Sequence, residues 1–143
     1  MSSSAKTSTS SSFHTILVVE DEPTLRQLLV RRLAMRTSIR VLEASSALGA
    51  RTILESEHVD LVCADHMIDG NVTGTELLDE VGRRWPRVKR VLFSGYATAD
   101  WVTDCGYLVL TKPVRSLSAV AEMLAAMARD TEPDEPAGPT DPA

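Results

Sequence analysis

Between residues 13 and 130, short apolar runs bounded by polar positions alternate with longer stretches whose apolar residues return every three or four positions. The runs Thr15–Val19, Arg40–Ala44, Val59–Ala64, Val88–Phe93 and Leu108–Leu110 are rich in Val, Leu and Ile and short enough for β-strands. The first, third and fourth are apolar at most positions, the pattern of strands covered on both faces of a parallel sheet. Four stretches between and after them carry helical stripes: Leu25, Leu28, Leu29 and Leu33; Ala47, Ala50 and Leu54; Leu77, Leu78, Val81 and Trp85; and Leu117, Val120, Ala121, Leu124 and Ala128. A further helix between Gly95 and Gly106 is weakly patterned and must be short. Right-handed crossovers wind such units into an α/β fold: a five-stranded parallel sheet, doubly wound, with helices on both faces.

The ends of the chain read differently. Residues 1–12, MSSSAKTSTSSS, are almost all small and polar and are expected to form a disordered leader. Residues 131–143, TEPDEPAGPTDPA, combine four prolines with four acids and are expected to form a flexible tail. One domain over 13–130 is therefore expected. The net charge of −5 over the whole chain argues against a direct nucleic-acid partner, because domains that track a phosphate backbone are usually basic on one face. Cys63 and Cys105 lack the spacing of a structural zinc site and read as reduced thiols of a cytoplasmic protein. No apolar run approaches the roughly 20 residues that span a bilayer, so no membrane partner is expected.

In sheets of this kind a ligand site forms at the carboxyl ends of the strands. The first run ends in Glu20-Asp21-Glu22, the third in Asp65, the fourth in Ser94 and the fifth in Thr111-Lys112-Pro113. Carboxylates converging from separate strands raise one another's pKa unless a hard cation neutralises them, and Mg²⁺ takes oxygen ligands while keeping room for a phosphate oxygen. Lys112 and Ser94 on the same rim would supply a positive charge and a hydrogen-bond donor for a transferring phosphoryl group. An acidic loop after a strand also has a plainer explanation, since acids favour helix N-termini.

The stretches ILVVEDEPTLRQLL, DLVCADHMIDG with Gly74 beyond it, VLFSGYA and LTKPV together resemble the receiver domains of two-component response regulators, over nearly all of 13–130. In that family an acidic pair, a phosphorylated Asp, a Ser or Thr and a Lys-Pro end strands in this order, and the flavodoxin-like receiver fold is implied. The resemblance implies that Asp65 is the phosphoacceptor and that Asp21, Asp65 and the Met67 backbone carbonyl hold Mg²⁺, or Mn²⁺, with Glu20 joining directly or through water. It further implies that Ser94 and Lys112 bind the phosphoryl group and that the Lys112-Pro113 peptide is cis. Met67 and Tyr96 would flank the path of hydrolytic water and, being bulky and without an acid or amide, would slow it. The implied function is a cytoplasmic phosphorelay switch, not an enzyme beyond assisting its own phosphorylation and dephosphorylation. Its partners would be a sensor histidine kinase or histidine phosphotransfer protein and a downstream protein target. The alternative is a receiver-like interaction module that no longer accepts phosphate.

The chain departs from the family pattern at several points. Asp69 stands where a Pro is usual, and Gly74 sits one residue late, so that loop carries an insertion. The segment from Ser94 to Lys112 is short by about one helical turn. The usual aromatic before the lysine is Val109, with Tyr107 on the same strand face two residues earlier. His66 reads either as a proton shuttle or as an exposed rim residue. Two other readings fail on residues: a haloacid-dehalogenase-like phosphatase needs an Asp where Met67 stands, and a flavin binder needs a phosphate loop where Glu-Asp-Glu stands.

Overall fold

The computed structural model describes residues 13–68, 72–94, 106–111 and 116–130. Five strands, β1 (His14–Val19), β2 (Ile39–Ala44), β3 (Leu61–Asp65), β4 (Lys89–Ser94) and β5 (Leu108–Thr111), form one sheet in the order β2-β1-β3-β4-β5. Every neighbouring pair is parallel. Four helices are described: α1 (Pro23–Ala34), α2 (Ala47–Ser56), α3 (Gly74–Arg84) and α4 (Leu117–Arg129). The five expected strands and four of the expected helices are thus present, with ends that move by one or two residues. The short helix expected between Gly95 and Gly106, the leader and the tail lie outside the described residues. No helix among the described residues is long and apolar enough to cross a membrane.

The helices begin where side chains accept the orphan amides of their first turns. Glu22 with Pro23 behind it, Ser46, Thr73 and Ser116 are the four N-caps, and Thr73 forms a reciprocal capping box with Glu76. Strand alternation then sorts the core into two layers. Ile16, Val18, Leu61, Cys63, Val91 and Phe93 face α1 and α4, whose Ala121, Ala125 and Ala128 let α4 approach closely. Leu17, Val19, Val62, Ala64 and Leu92 face α2 and α3. The three strands expected to be covered on both faces, β1, β3 and β4, are the three interior ones. One expectation fails: Leu28 is 41% exposed. The inward stripe of α1 runs through Leu29 and Leu33, a spacing of four, and Leu28 falls outside it.

The strand order reverses direction between β1 and β3, since β2 lies on one side of β1 and all later strands on the other. A crevice at the carboxyl ends of these two strands follows from that reversal.

Candidate functional site

Val19 of β1 pairs with Ala64 of β3, so the next residues along each strand, Glu20 and Asp65, leave the sheet side by side. Both are buried, at 5% and 7% exposure, and both line one cavity of ≈ 440 Å³ together with Val18, Cys63, Leu29 and Phe93. The Glu22 amide donates to Glu20 Oε2 at 3.2 Å, and the Met67 amide donates to Asp65 Oδ2 at 3.0 Å. Asp21 is exposed on the rim. The third acid of the first loop has a different task. Glu22 accepts from the Leu25 and Thr24 amides at 2.8 and 3.3 Å as the α1 cap, and these bonds lower its carboxyl pKa. The helix-terminus explanation of the acidic loop therefore holds for Glu22 and leaves Glu20 and Asp21 for the site.

The chain after Asp65 is bent back under tight constraint. A Cβ on Gly74 would lie 2.1 Å from the Asp65 backbone oxygen, so only glycine fits where α3 begins against the end of β3. The Gly74 amide donates to His66 O at 2.7 Å, and Met67 bridges Thr73 across the loop. His66 is half-buried: its amide donates to Phe93 O at 2.8 Å and its Nδ1 lies 3.3 Å from Thr75 Oγ1. It is part of the loop's framework rather than a simply exposed rim residue. The Met67 side chain is exposed, two residues beyond Asp65.

Ser94 ends β4, buried, in register with Thr111 of β5, the residue before Lys112. Lys112, Pro113, Tyr96 and Asp69 lie outside the described residues. Tyr107 and Val109 face the α2 and α3 layer, as strand parity requires. The Arg90 guanidinium lies 5.1 Å from the Tyr107 ring centroid and donates to Leu78 O at 3.2 Å. It passes so close over α3 that a Cβ on Gly82 would meet its Nη1 at 2.5 Å.

The donor set bears on which ion the site suits. Among the described residues no three His, Cys, Asp or Glu side chains gather into a metal cage. The strand ends supply instead a buried pair of carboxylates with an exposed acid beside it. Oxygen-only donors in that number fit Mg²⁺ or Mn²⁺, which are held by one or two carboxylates and keep several waters, and do not fit zinc.

One residue was not legible as part of this site. Arg26, on α1, donates from Nη1 to the Glu20 backbone oxygen at 2.9 Å and from Nε to Glu43 Oε1 at 3.0 Å. Nothing in the linear sequence couples Arg26 to a glutamate on the edge strand.

The family described as response regulator receiver domain matches residues 16–124. The chain is 40% identical over 104 residues to the hydrogenase transcriptional regulatory protein HoxA of Cupriavidus necator, a match covering 69% of this chain and 21% of that protein. It is 29% identical over 130 residues to the response regulator protein PilR of Pseudomonas aeruginosa, covering 87% of this chain and 28% of that one. The chain thus spans less than a third of either relative. Among solved structures, a CheY-like receiver domain protein from Methanospirillum hungatei superposes with a TM-score of 0.73 at 22% identity, covering 83% of this chain and 96% of its own. The receiver domain of NtrX from Brucella abortus does so with a TM-score of 0.71 at 25% identity, covering 82% and 99%. With its acid-ended β1 and β3, its strand order and these matches, the chain belongs to the receiver-domain family of two-component response regulators, which are in general signalling modules rather than enzymes.

Proposed function

We propose that Asp65 accepts a phosphoryl group from a phosphohistidine of a sensor kinase or phosphotransfer protein, in the cytoplasm, and that the change alters this domain's affinity for a downstream protein. The observation that carries the reading is the pairing of Val19 with Ala64, which sets Glu20 and Asp65 side by side and buried at adjacent strand ends. Two neighbouring buried carboxylates are costly as a bare pair and favour a divalent cation. Glu20, Asp21, Asp65 and the Met67 carbonyl would hold Mg²⁺ or Mn²⁺, which would neutralise charge on the transferring group.

An Asp65 carboxylate oxygen attacks phosphorus in line with the leaving nitrogen. The P–N bond breaks, its electron pair stays on the imidazole, and the product is an acyl phosphate. Ser94 would donate a hydrogen bond to one phosphoryl oxygen, and Lys112, on a cis Lys112-Pro113 turn, would pair with another. Met67 and Tyr96 would screen the phosphorus from water, giving slow self-dephosphorylation. Beyond these steps on its own aspartate, the domain is not an enzyme.

Intact-mass measurement after incubation with a small acyl phosphate and Mg²⁺ tests this. One phosphoryl adduct is expected on the wild type, none on Asp65→Asn, and none in excess EDTA. Equal labelling of Asp65→Asn would sink the assignment, and an unlabelled wild type would favour the interaction module that needs no phosphate.

A further inference from the structure

We propose that Arg26 is a positioning residue for this acidic site, acting through the Glu20 backbone; the proposal rests on the reading of Glu20, Asp21 and Asp65 as metal-binding acids. The β1–β2 ladder ends where the Glu20 amide donates to Ala44 O at 3.0 Å. Beyond that bond the chain turns away into α1, and the orientation of the Glu20 peptide is no longer set by the sheet. Arg26 takes over at that point. Its Nη1 donates to the Glu20 carbonyl while its Nε is held on Glu43, which stands on β2 directly opposite Val18.

One guanidinium thereby ties β1, β2 and α1 together within one residue of the acid pair. Its side chain is only 18% exposed, although Glu43 is far more open, and Arg26 lines the same cavity as Glu20 and Asp65. The planar fork suits this task because two N–H groups at a fixed angle reach two acceptors at once. A lysine ammonium supplies the same charge but no such fork.

Charge and position predict opposite outcomes, which makes the proposal decidable. Removing a cation from the wall of a metal site should tighten Mg²⁺ by relieving repulsion. Releasing the Glu20 peptide should weaken it, because outer partners that orient ligands are commonly worth on the order of 10-fold in metal affinity.

The experiment is a Mg²⁺ titration followed by the backbone amide shifts of Asp21 and Met67, on wild type, Arg26→Gln, Arg26→Lys and Glu43→Ala. Melting temperatures are taken for each. Binding weakened on the order of 10-fold in Arg26→Gln and not restored in Arg26→Lys is expected. Glu43→Ala should weaken it less, and its effect should not add to that of Arg26→Gln in the double variant. In metal-free Arg26→Gln the Glu22 amide, which donates to the Glu20 carboxylate, should also shift. Unchanged or tighter Mg²⁺ binding in Arg26→Gln, or full restoration by lysine, would overturn the proposal while leaving the metal reading intact. A wild type with no saturable Mg²⁺ response would overturn the metal reading and the proposal with it.

Discussion

Strand β3 has a buried carboxylate at each end, and the two are buried almost equally: Asp60, just before its first residue, at 6% exposure and Asp65, its last, at 7%. Their surroundings separate them. Asp60 Oδ2 accepts the Thr15 amide at 2.7 Å and Oδ1 lies 3.0 Å from His58 Nε2, with His14 Nδ1 at 3.9 Å. Its backbone donates to Thr15 O and accepts from Lys89, so it stitches β1 and β4 to β3. Asp65 sits instead beside Glu20, on a cavity wall. Burial alone does not mark an acid as functional. Each accepts a backbone amide, Asp60 from Thr15 and Asp65 from Met67, so the difference is that Asp60 ties neighbouring strands together whereas Asp65 stands beside a second acid, an arrangement that favours a cation.

The contrast breaks most sharply at Gly74. The Asp65 end of β3 tolerates no side chain there, since a Cβ would stand 2.1 Å from the Asp65 backbone oxygen and 2.9 Å from Leu92 Cδ1. Backbone cannot yield as a flexible side-chain tip does, so Gly74→Ala should cost about 3 kcal/mol, the upper end for overpacking. Urea denaturation measures that cost. If Asp65 accepts phosphate as proposed, labelling of the remaining folded protein should fall as well, because the strain lands on that residue's backbone. A variant as stable and as readily labelled as wild type would show that α3 does not hold Asp65 in place.

Exchanging the two acids one at a time sharpens the comparison. Asp60→Ala strands the buried Thr15 amide and should cost about 1–3 kcal/mol in urea midpoint experiments, while each folded molecule still accepts phosphate. Asp65→Asn should do the reverse: no labelling, and a midpoint unchanged or raised, because groups kept for function often sit at the expense of stability. An Asp65→Asn protein less stable than Asp60→Ala would mean that the roles had been assigned to the wrong ends of β3.

How these features read in the sequence follows from their range. Strands and helices announce themselves by periods of two and 3.6, which need only local residues. The placement of Glu20, Asp21, Asp65 and Ser94 at the ends of strands is legible because it needs only the strands. Leu28 was misplaced because a Leu-Leu pair leaves the helical phase ambiguous by one position. Asp60 was hidden inside a run read as strand, and its role depends on Thr15, 45 residues away. Arg26 was hidden for the same reason, its Glu43 partner being 17 residues distant on another element. Gly74 was visible as a motif spacing, but its cause, contact with the Asp65 carbonyl, exists only in three dimensions.

A third kind of carboxylate completes the series and gives the smallest expected effect. Glu80 on α3 is held by cations outright: Arg51 Nε meets Oε1 at 2.8 Å and Arg84 Nη1 meets Oε2 at 2.8 Å, while Arg84 also reaches Glu55 at 2.8 Å. The hydrogen bond from Arg51 is the main cause that holds its carboxyl below the ordinary value of 4.5; partial burial opposes it and Arg84 assists. A depressed folded-state pKa contributes stability that is fully present above the ordinary value and is lost as pH falls through the folded one. Glu80→Gln should therefore lose a few tenths to about 1 kcal/mol near neutral pH, the range of partly exposed pairs. The gap from wild type should close on acidification below 4.5, and it should narrow in high salt near neutral pH as the exposed Arg84 arm is screened. Paired urea midpoints across that range decide it. A gap that persists undiminished in strong acid would assign the loss to packing of the Glu80 stem between α2 and α3 rather than to its charge.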